Sequence, residues 1–319
     1  MPAHPLVTIG IPTHNRACGF LPVSLKSALS QTYPEIEIIV SDNCSTDNTR
    51  ELVREFRDAR IRYFRHDFNI GANNNFNFCL RQARGRYFLL LQDDDLIDPD
   101  FTEKCMRVKG EAGIIRTGTR VVDGEGKVLK NCPNLAGGLP LEDFFLGWFS
   151  GKTALYLCST LFNTEKLREI GGFNSPKNLF QDVVAEARLA AKCGRFDIPD
   201  IKASFRKHSG EMTFSAKVKD WCEDSLFLLD LLCVLSTLKK EEVRMRGMKF
   251  FSHANYSRAS AVRGFIGKAK AYWTVWRKFD HKLPGLGHLL KPVCICLDGT
   301  PLYNGMRSLK RMLKGALTD

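Results

Sequence analysis

The N-terminal third of the chain alternates short apolar runs with amphipathic stretches. Runs rich in β-branched, aromatic or leucine residues begin at Leu6, Ile36, Ile61 and Tyr87, and each has the length of a strand. Between them, apolar residues recur at helical spacing, as in residues 20–31. Strands and helices that alternate in this way build a largely parallel sheet. The pattern therefore predicts an α/β fold with a Rossmann-like, mostly parallel sheet flanked by helices.

After residue 113 the pattern changes, and from about residue 217 the chain is predicted to be helical. The predicted elements between these points are a strand at 114–117, a hairpin within 119–129, helices at 142–149, 165–170 and 181–193, and a return to the sheet over 196–205. We expect one unit over residues 1–216, made of halves 1–112 and 113–216, followed by a helical basic C-terminal extension over 217–319.

Charge is divided unevenly along the chain. The net charge is +12, and residues 243–319 hold 15 lysines and arginines against three acidic residues, so the whole excess lies there. Leucines at helical spacing in 302–317 and aromatic residues in 272–279 alternate with these basic residues; the aromatic residues are Tyr272, Trp273, Trp276 and Phe279. Such a segment suits an anionic membrane interface. The alternative is that these helices pack against the rest of the chain or a second subunit.

Apolar segments and cysteines indicate the compartment. Residues 6–12 are too short for a signal peptide, and the apolar segment 225–238 is interrupted by Asp230. The 11 cysteines are scattered and odd in number, which favours free thiols in a reducing environment. We expect a cytoplasmic protein that can sit on the inner face of the cytoplasmic membrane.

Three consecutive carboxylates follow the fourth predicted strand. Asp93, Asp94 and Asp95 come directly after the apolar run 87–91 and Gln92. In open α/β sheets the ligand crevice lies at the carboxyl ends of the parallel strands. Hard oxygen ligands there suit Mg²⁺ or Mn²⁺ bridging to phosphate oxygens. The alternative interpretation is a solvated acidic turn.

Three motifs, in order, follow the first, second and fourth strands: Pro-Thr-His-Asn-Arg at 12–16, Val-Ser-Asp-Asn-Cys-Ser-Thr-Asp at 40–47 and Gln-Asp-Asp-Asp at 92–95. With them the chain resembles the family 2 glycosyltransferases with the GT-A fold, over roughly residues 5–215. The resemblance implies an inverting, metal-dependent transfer of a sugar from a nucleoside diphosphate to an acceptor hydroxyl. It makes residues 1–112 the nucleotide-binding half and 113–216 the acceptor-binding half.

The resemblance also implies donor contacts. Asp42 matches the family aspartate that accepts the imino hydrogen of a pyrimidine base, although an Asx turn would equally explain it. Asp93 is expected near the ribose or the sugar, and Arg206 is expected to offset the charge of the leaving diphosphate. The remaining expected donor contacts, from the first loop, are Pro12, Thr13, Asn15 and Arg16.

The metal ligands implied by the resemblance are Asp94, Asp95 and His208. Asp94 matches the metal-binding aspartate of the family, Asp95 completes the cluster, and His208 ends a segment that closes over the diphosphate. Gln92 stands where the family usually has its first aspartate. A histidine in this position could equally be structural.

The base implied by the resemblance is Asp182. It follows the Gly-Gly-Phe segment 171–173, and Gln181 replaces the usual glutamate before it. An inverting transfer needs a carboxylate that takes the proton of the acceptor hydroxyl. A helix cap is the alternative role for Asp182, and Glu186 is the second candidate base.

The expected partners are a nucleotide sugar of the UDP, dTDP or GDP type and a saccharide or lipid-linked acceptor, in bacterial surface polysaccharide or lipopolysaccharide assembly. No nucleic acid is expected, and a homo-oligomer is left open. Two other classes of function fit part of the sequence. A nucleic-acid-binding protein could use the basic tail, but no known module is recognisable. A nucleotidyltransferase would need a glycine-rich phosphate loop, which residues 9–12 do not provide.

Overall fold

The computed structural model describes residues 4–108, 110–208 and 216–280. The strands are β1 Val7–Thr13, β2 Ile36–Asp42, β3 Ile61–Arg65, β4 Tyr87–Leu90, β5 Leu96–Ile97, β6 Ile114–Val122, β7 Val128–Cys132, β8 Thr160–Asn163 and β9 Arg195–Arg206. The helices are α1 Leu21–Leu29, α2 Thr49–Glu55, α3 Ala72–Gln82, α4 Phe101–Met106, α5 Leu141–Phe149, α6 Thr164–Glu169, α7 Gln181–Cys193, α8 Val218–Leu235, α9 Lys240–Ser260 and α10 Phe265–Val275. A 3₁₀ turn spans Leu157–Ser159, and a π-helical turn spans Trp276–Asp280.

The strands form one mixed sheet in the order β3-β2-β1-β4-β8-β6-β9-β5, with β7 paired to β6. The first four positions are parallel, and β8 then runs antiparallel to both β4 and β6. Thr13 pairs with Asp42 at the carboxyl ends of β1 and β2, and the backbone N–H of Leu91, just after β4, bonds to Gly10. The predicted α/β class is confirmed, and the three motif loops leave the same edge of the sheet.

Each face of the parallel half is covered by its own hydrophobic core. Along β2, Ile38 and Val40 face the core formed with α1 and α4, whereas Ile39 faces the other core. Side chains alternate between faces along a strand, so a continuous apolar run such as β2 is buried on both sides. All seven residues of β2 are buried. This double burial fixes the sheet edge from which the motif loops emerge.

The C-terminal helices belong to the second core. Leu228 of α8, Phe251 of α9 and Tyr272 of α10 are buried in the same cluster as Phe162 and Val184 of the preceding unit. The division at residue 216 stays a prediction, but the helices after it share a core with the residues before it. Within the described ranges, no helix is long and apolar enough to cross a membrane.

Two of the aromatic residues expected at a membrane interface are buried instead. Tyr272 and Phe279 are 2% and 3% exposed, because they complete the core between α8 and α10. Trp273 is 50% exposed and stacks on Trp276, with 4.8 Å between ring centres. The leucine-spaced segment 302–317 lies outside the described residues.

Ser45 and Asp98 are of residue types that favour helix caps, but neither caps the helix that follows it. Helix α2 begins at Thr49, whose N–H donates to Asp47, and the Ser45 hydroxyl accepts the backbone N–H of Asn15. The Asp98 carboxylate pairs with Arg120 at 2.7 Å, and α4 begins three residues later. In both cases a tertiary partner competes successfully with the local cap.

Candidate active site

A cavity of about 1260 Å³ opens at the carboxyl ends of β1 and β4 and extends to α7, α8 and α9. The expected site residues that line it are Pro12, Thr13, Asn15, Arg16, Asp93, Asp94, Asp182 and Arg206. Three further expected residues, Asp42, Asp95 and His208, lie beside the cavity without lining it. The structure thus brings the first and third motifs together with the start of α7.

The loop after β1 is locked to the loop after β2 through Asn15. Asn15 has a left-handed φ of +54°, which asparagine tolerates better than most residues. Its backbone N–H donates to Ser45 Oγ at 2.8 Å, and its side-chain oxygen accepts the N–H of Thr46 at 2.8 Å. Asp47 accepts the N–H of Ala17 at 2.9 Å. The two loops therefore form one rigid wall of the cavity.

Asp42 lies beneath this wall and is only 1% exposed. One of its oxygens accepts the N–H of Ser45, three residues further on, at 2.8 Å, and the other accepts the Tyr63 hydroxyl at 2.5 Å. Burial and the Asp42 carboxylate raise the pKa of Tyr63, so the phenol remains a donor. Asn43 lines the cavity, and its side chain bonds to Asn69 and to the N–H of Ile70. Base recognition by Asp42 stays a prediction.

The three acidic residues after β4 have different surroundings. Burial and the neighbouring Asp94 charge raise the pKa of Asp93 to about 7. Asp94 Oδ2 lies 2.9 Å from Nε2 of His208. Asp95 is fully buried and accepts the backbone N–H of Arg206 at 2.9 Å, and burial raises its pKa. The sequence triplet therefore separates into two residues at the cavity and one that ties β9 to the acidic loop.

Arg206 is the last residue of β9, His208 comes two residues later, and both contact the acidic loop. The Arg206 side chain donates to the backbone carbonyls of Asp94, Asp123 and Gly124, and its guanidinium carbon lies 4.6 Å from the centre of the Phe20 ring. The His208 ring centre lies 4.9 Å from the same ring. The cation is thus held rigidly at the cavity wall beside the acidic residues.

The donor atoms at this position fit a hard divalent cation that is shared with a diphosphate. No group of three or more His, Cys, Asp or Glu side chains able to hold a metal occurs in the part of the chain that the structure describes. Asp94 and His208 nevertheless supply two donors that meet at the cavity edge. Mg²⁺ and related cations commonly bind through one or two protein ligands and take the rest of their shell from substrate phosphates and water.

Asp182 lies in the first turn of α7 and lines the cavity. One of its oxygens accepts the N–H of Val183 at 2.8 Å. Burial raises the pKa of Asp182 to about 6, because a carboxylate is harder to ionise away from water. A carboxylate with this pKa is ionised at neutral pH and still basic enough to accept a proton in a reaction.

A buried aspartate that the sequence reasoning missed positions Asp182. Asp224 of α8 is completely buried and accepts the Ser175 hydroxyl at 2.6 Å and the backbone N–H groups of Lys177 and Leu179 at 2.8 Å. These bonds fix the loop that leads into α7. The available signal was an acidic residue at helical spacing between Trp221 and Leu228, on the apolar face of the helix, where an unpaired charge would be costly.

Glu186, the second candidate base, does not line the cavity. It is completely buried and pairs with Nε of Arg116 at 3.1 Å, and Arg116 also pairs with Asp197 at 3.0 Å. Burial raises the pKa of Glu186 to about 8, against the effect of the Arg116 charge. Its place is in the ion cluster that joins α7 to the sheet.

The cavity also has an aromatic region that the sequence reasoning did not assign. It is formed where α8 and α9 meet α5 and the start of α7. Its residues are Trp148, Phe149, Phe180, Trp221, Phe250, Phe251 and Arg258. Their spacing along the chain is too wide for any local motif to reveal them.

Comparison with known proteins gives matches of three kinds. The model of glycosyl transferase family 2 matches residues 8–150. A glucosyltransferase of Campylobacter jejuni, named for GalNAc(5)-diNAcBac-PP-undecaprenol, is 28% identical over 172 residues, which are 52% of this chain and 55% of that protein. An uncharacterized glycosyltransferase of Rickettsia felis is 32% identical over 186 residues, 56% of this chain and 30% of that protein. The chain thus spans about half or less of the length of these two relatives.

Solved structures share the fold. TarS of S. aureus, in complex with UDP-GlcNAc, superposes with a TM-score of 0.60 at 17% identity, over 85% of this chain and 81% of that one. The mannosyltransferase PcManGT of Pyrobaculum calidifontis, in complex with GDP-Man and Mn²⁺, superposes with a TM-score of 0.56 at 16% identity, over 99% of this chain and 87% of that one. Residues 8–150 thus match glycosyl transferase family 2, and the two superpositions show that the chain has the GT-A fold.

Proposed function

We propose that the protein is a glycosyltransferase that moves a sugar from a nucleoside diphosphate to a hydroxyl group of a saccharide acceptor, with inversion and with a bound Mn²⁺ or Mg²⁺. The observation that carries the proposal is the shared cavity. Asp94, which is paired with His208, and Asp182 belong to segments far apart in sequence, and both carboxylate residues line the same space. The family match over residues 8–150 argues against the nucleic-acid-binding and nucleotidyltransferase alternatives.

In the proposed reaction, Asp182 accepts the proton of the attacking hydroxyl while the diphosphate leaves from the opposite side of the sugar. Asp94 and His208 would hold the metal, which when bound neutralises charge on the diphosphate. Arg206, fixed over Phe20, adds a positive charge beside the same region. Asn43, Thr13 and Arg16 form the wall where we place the nucleoside.

We propose a lipid-linked saccharide as the acceptor, in the assembly of a bacterial surface polysaccharide. The C. jejuni relative is named for an undecaprenol diphosphate substrate, and an Escherichia coli relative, 40% identical over 91 residues that are 28% of this chain and 36% of that protein, is named for GlcNAc-diphosphoundecaprenol. An exposed face of α10 supports contact with anionic membrane on the cytoplasmic side. It carries Ile266, Lys270, Trp273 and, one turn beyond, Arg277.

The test is a transfer assay with purified full-length protein, a panel of UDP-, dTDP- and GDP-sugars, and saccharides carried on a short soluble prenyl diphosphate. We expect one donor class to release nucleoside diphosphate only with Mn²⁺ or Mg²⁺, and chelation with EDTA to stop the reaction. Nuclear magnetic resonance of the product gives the anomeric configuration. Transfer that is unaffected by chelation, or a retained configuration, would contradict the metal or the inverting part of the proposal.

A further inference from the structure

The aromatic region of the cavity contains an arginine that has no acidic partner within residues 4–108, 110–208 and 216–280. Arg258 of α9 stacks on Trp221, with its guanidinium carbon 3.8 Å from the ring centre. Its Nη1 is buried, and among the residues that the structure describes it has no hydrogen-bond partner. Lys177, which also lines the cavity, pairs with Glu223 at 3.3 Å. Arg258 is therefore a partly buried cation that lines the cavity and has an unused hydrogen-bond donor.

A guanidinium in this state is suited to an oxyanion. Burial lowers the pKa of Arg258 to about 10, which still leaves it charged at neutral pH. A buried donor that lacks an acceptor is unfavourable, and a planar guanidinium pairs well with the oxygens of a carboxylate or a phosphate. Stacking on Trp221 holds the guanidinium group in one orientation, so less side-chain conformational entropy is lost when an anion binds.

The position of Arg258 relative to Asp182 indicates which substrate carries the anion. The Trp221 ring lies 5.3 Å from the ring of Phe180, and Phe180 is the residue that precedes α7 and its Asp182. Arg258 and the candidate base thus lie on the same wall, built by α7, α8 and α9. The acidic loop and His208, where the donor diphosphate is placed, belong instead to β4 and β9.

We propose that Arg258, stacked on Trp221, binds an oxyanion of the acceptor, either a phosphate that links the saccharide to its carrier or a carboxylate of an acidic sugar. This inference rests on the proposed function. The aromatic rings around it, among them Phe180 and Phe251 with ring centres 5.6 Å apart, give the apolar faces of the adjoining sugar or chain a surface to pack on.

The experiment compares Arg258→Gln, Arg258→Lys and the wild type on three soluble acceptors with the same terminal sugar: a prenyl diphosphate, a uronic-acid-containing oligosaccharide and a neutral alkyl glycoside. With the anionic acceptor that fits, we expect Arg258→Gln to lower kcat/KM by about 10- to 100-fold, mainly through acceptor KM. The neutral glycoside should change by less than about twofold, and so should donor KM and hydrolysis of the donor by water. Which anionic acceptor responds distinguishes phosphate from carboxylate.

Arg263→Gln is the matched control, because Arg263 is an exposed arginine in the turn after α9. Its kinetics should equal those of the wild type. If Arg258→Gln does not fold, Arg258→Lys keeps the charge without the planar fork, and we expect a loss of about 3- to 10-fold that is confined to the anionic acceptor.

Three results would overturn the inference: equal losses on neutral and anionic acceptors, a loss that appears in donor KM, or no change for either variant. Failure of the proposed function is distinguishable from these results. In that case the wild type would neither hydrolyse a nucleotide sugar nor transfer it to any acceptor.

Discussion

At the scale of single residues, Asp94 is expected to be the group whose loss affects the metal most directly. We predict that Asp94→Ala lowers kcat/KM about 100-fold or more in saturating donor, because the charge that holds the cation beside the diphosphate is removed. Titration calorimetry of Mn²⁺ in the presence of the nucleoside diphosphate should show weakened binding. The control is Glu55→Ala, an exposed acidic residue at the end of α2. Wild-type turnover in Asp94→Ala would show that the metal ligand has been misassigned.

Asp182 gives a prediction that separates chemistry from binding. Asp182→Asn keeps the shape and removes the base, so we expect transfer to fall by about 10²- to 10⁴-fold while the dissociation constant of the donor changes little. Because the pKa of Asp182 is raised to about 6, the base is protonated below that pH. The wild-type kcat/KM should therefore fall about tenfold per pH unit below pH 6 and level off above it.

A control variant and two outcomes test the assignment of Asp182 as the base. Glu165→Gln alters an acidic residue in the first turn of α6, so it tests whether any helix-terminal carboxylate has this effect. A donor affinity that falls in parallel with the rate in Asp182→Asn would mean that Asp182 acts as a structural cap, through its bond to the Val183 N–H. A flat pH profile between 5 and 7 would contradict its assignment as the base.

At the scale of secondary-structure elements, the buried Arg116 joins β6 to α7 and β9. We predict that Arg116→Met lowers the free energy of unfolding by about 3–5 kcal/mol, because Glu186 and Asp197 lose the cation that compensates them. Arg120→Met, in the same strand, should cost about 1 kcal/mol or less, since its pair with Asp98 is partly exposed. Urea unfolding of both variants gives the comparison, and similar losses would show that burial of the Arg116 cluster is not decisive.

The elements themselves were largely predictable, and the reason is local. The helix expected over 181–193 occurs as α7 with those bounds, because apolar spacing and the terminal Gly194 specify it within one segment. The starts of α2 and α4 were not predictable from caps, because Ser45 and Asp98 are used by Asn15 and Arg120, about 20 to 30 residues away. The two-residue strand β5 has too little sequence to carry any pattern and exists through its pairing with β9.

The site residues, like the elements, were predictable only where a local pattern specifies them. The first and third motif loops, together with Asp182, meet in one cavity, because strand order alone brings the carboxyl ends of β1 and β4 together. Asp224 and Arg258 could not be found in this way, because Asp224 acts through contacts with the loop before α7 and Arg258 through its contact with Trp221 of the neighbouring helix. Whether a polar residue in a helix lies in the core or on the surface depends on packing that a single sequence does not specify.

At the scale of the whole molecule, the last prediction concerns the basic C-terminal helices. Val243 and Phe251 of α9 are completely buried in the second core, so this helix cannot separate from the rest of the protein to meet a membrane. Any membrane contact must therefore use the outer surface of the folded protein. The exposed face of α10, with Ile266, Trp273 and the flanking Lys270 and Arg277, offers apolar and basic groups together. We therefore predict that the intact, folded protein binds anionic vesicles through α10 at low ionic strength.

The full-length double variant Lys270→Gln/Arg277→Gln tests this prediction by cosedimentation with vesicles. Each basic residue near an anionic surface contributes about 1 kcal/mol, so the partition coefficient should fall about 30-fold, and salt should weaken binding of the wild type in the same sense. Neutral phosphatidylcholine vesicles are the control and should bind both proteins weakly. If the wild type remains in the supernatant with anionic vesicles at low salt, the membrane proposal is wrong, and the positive charge of these helices must serve another partner.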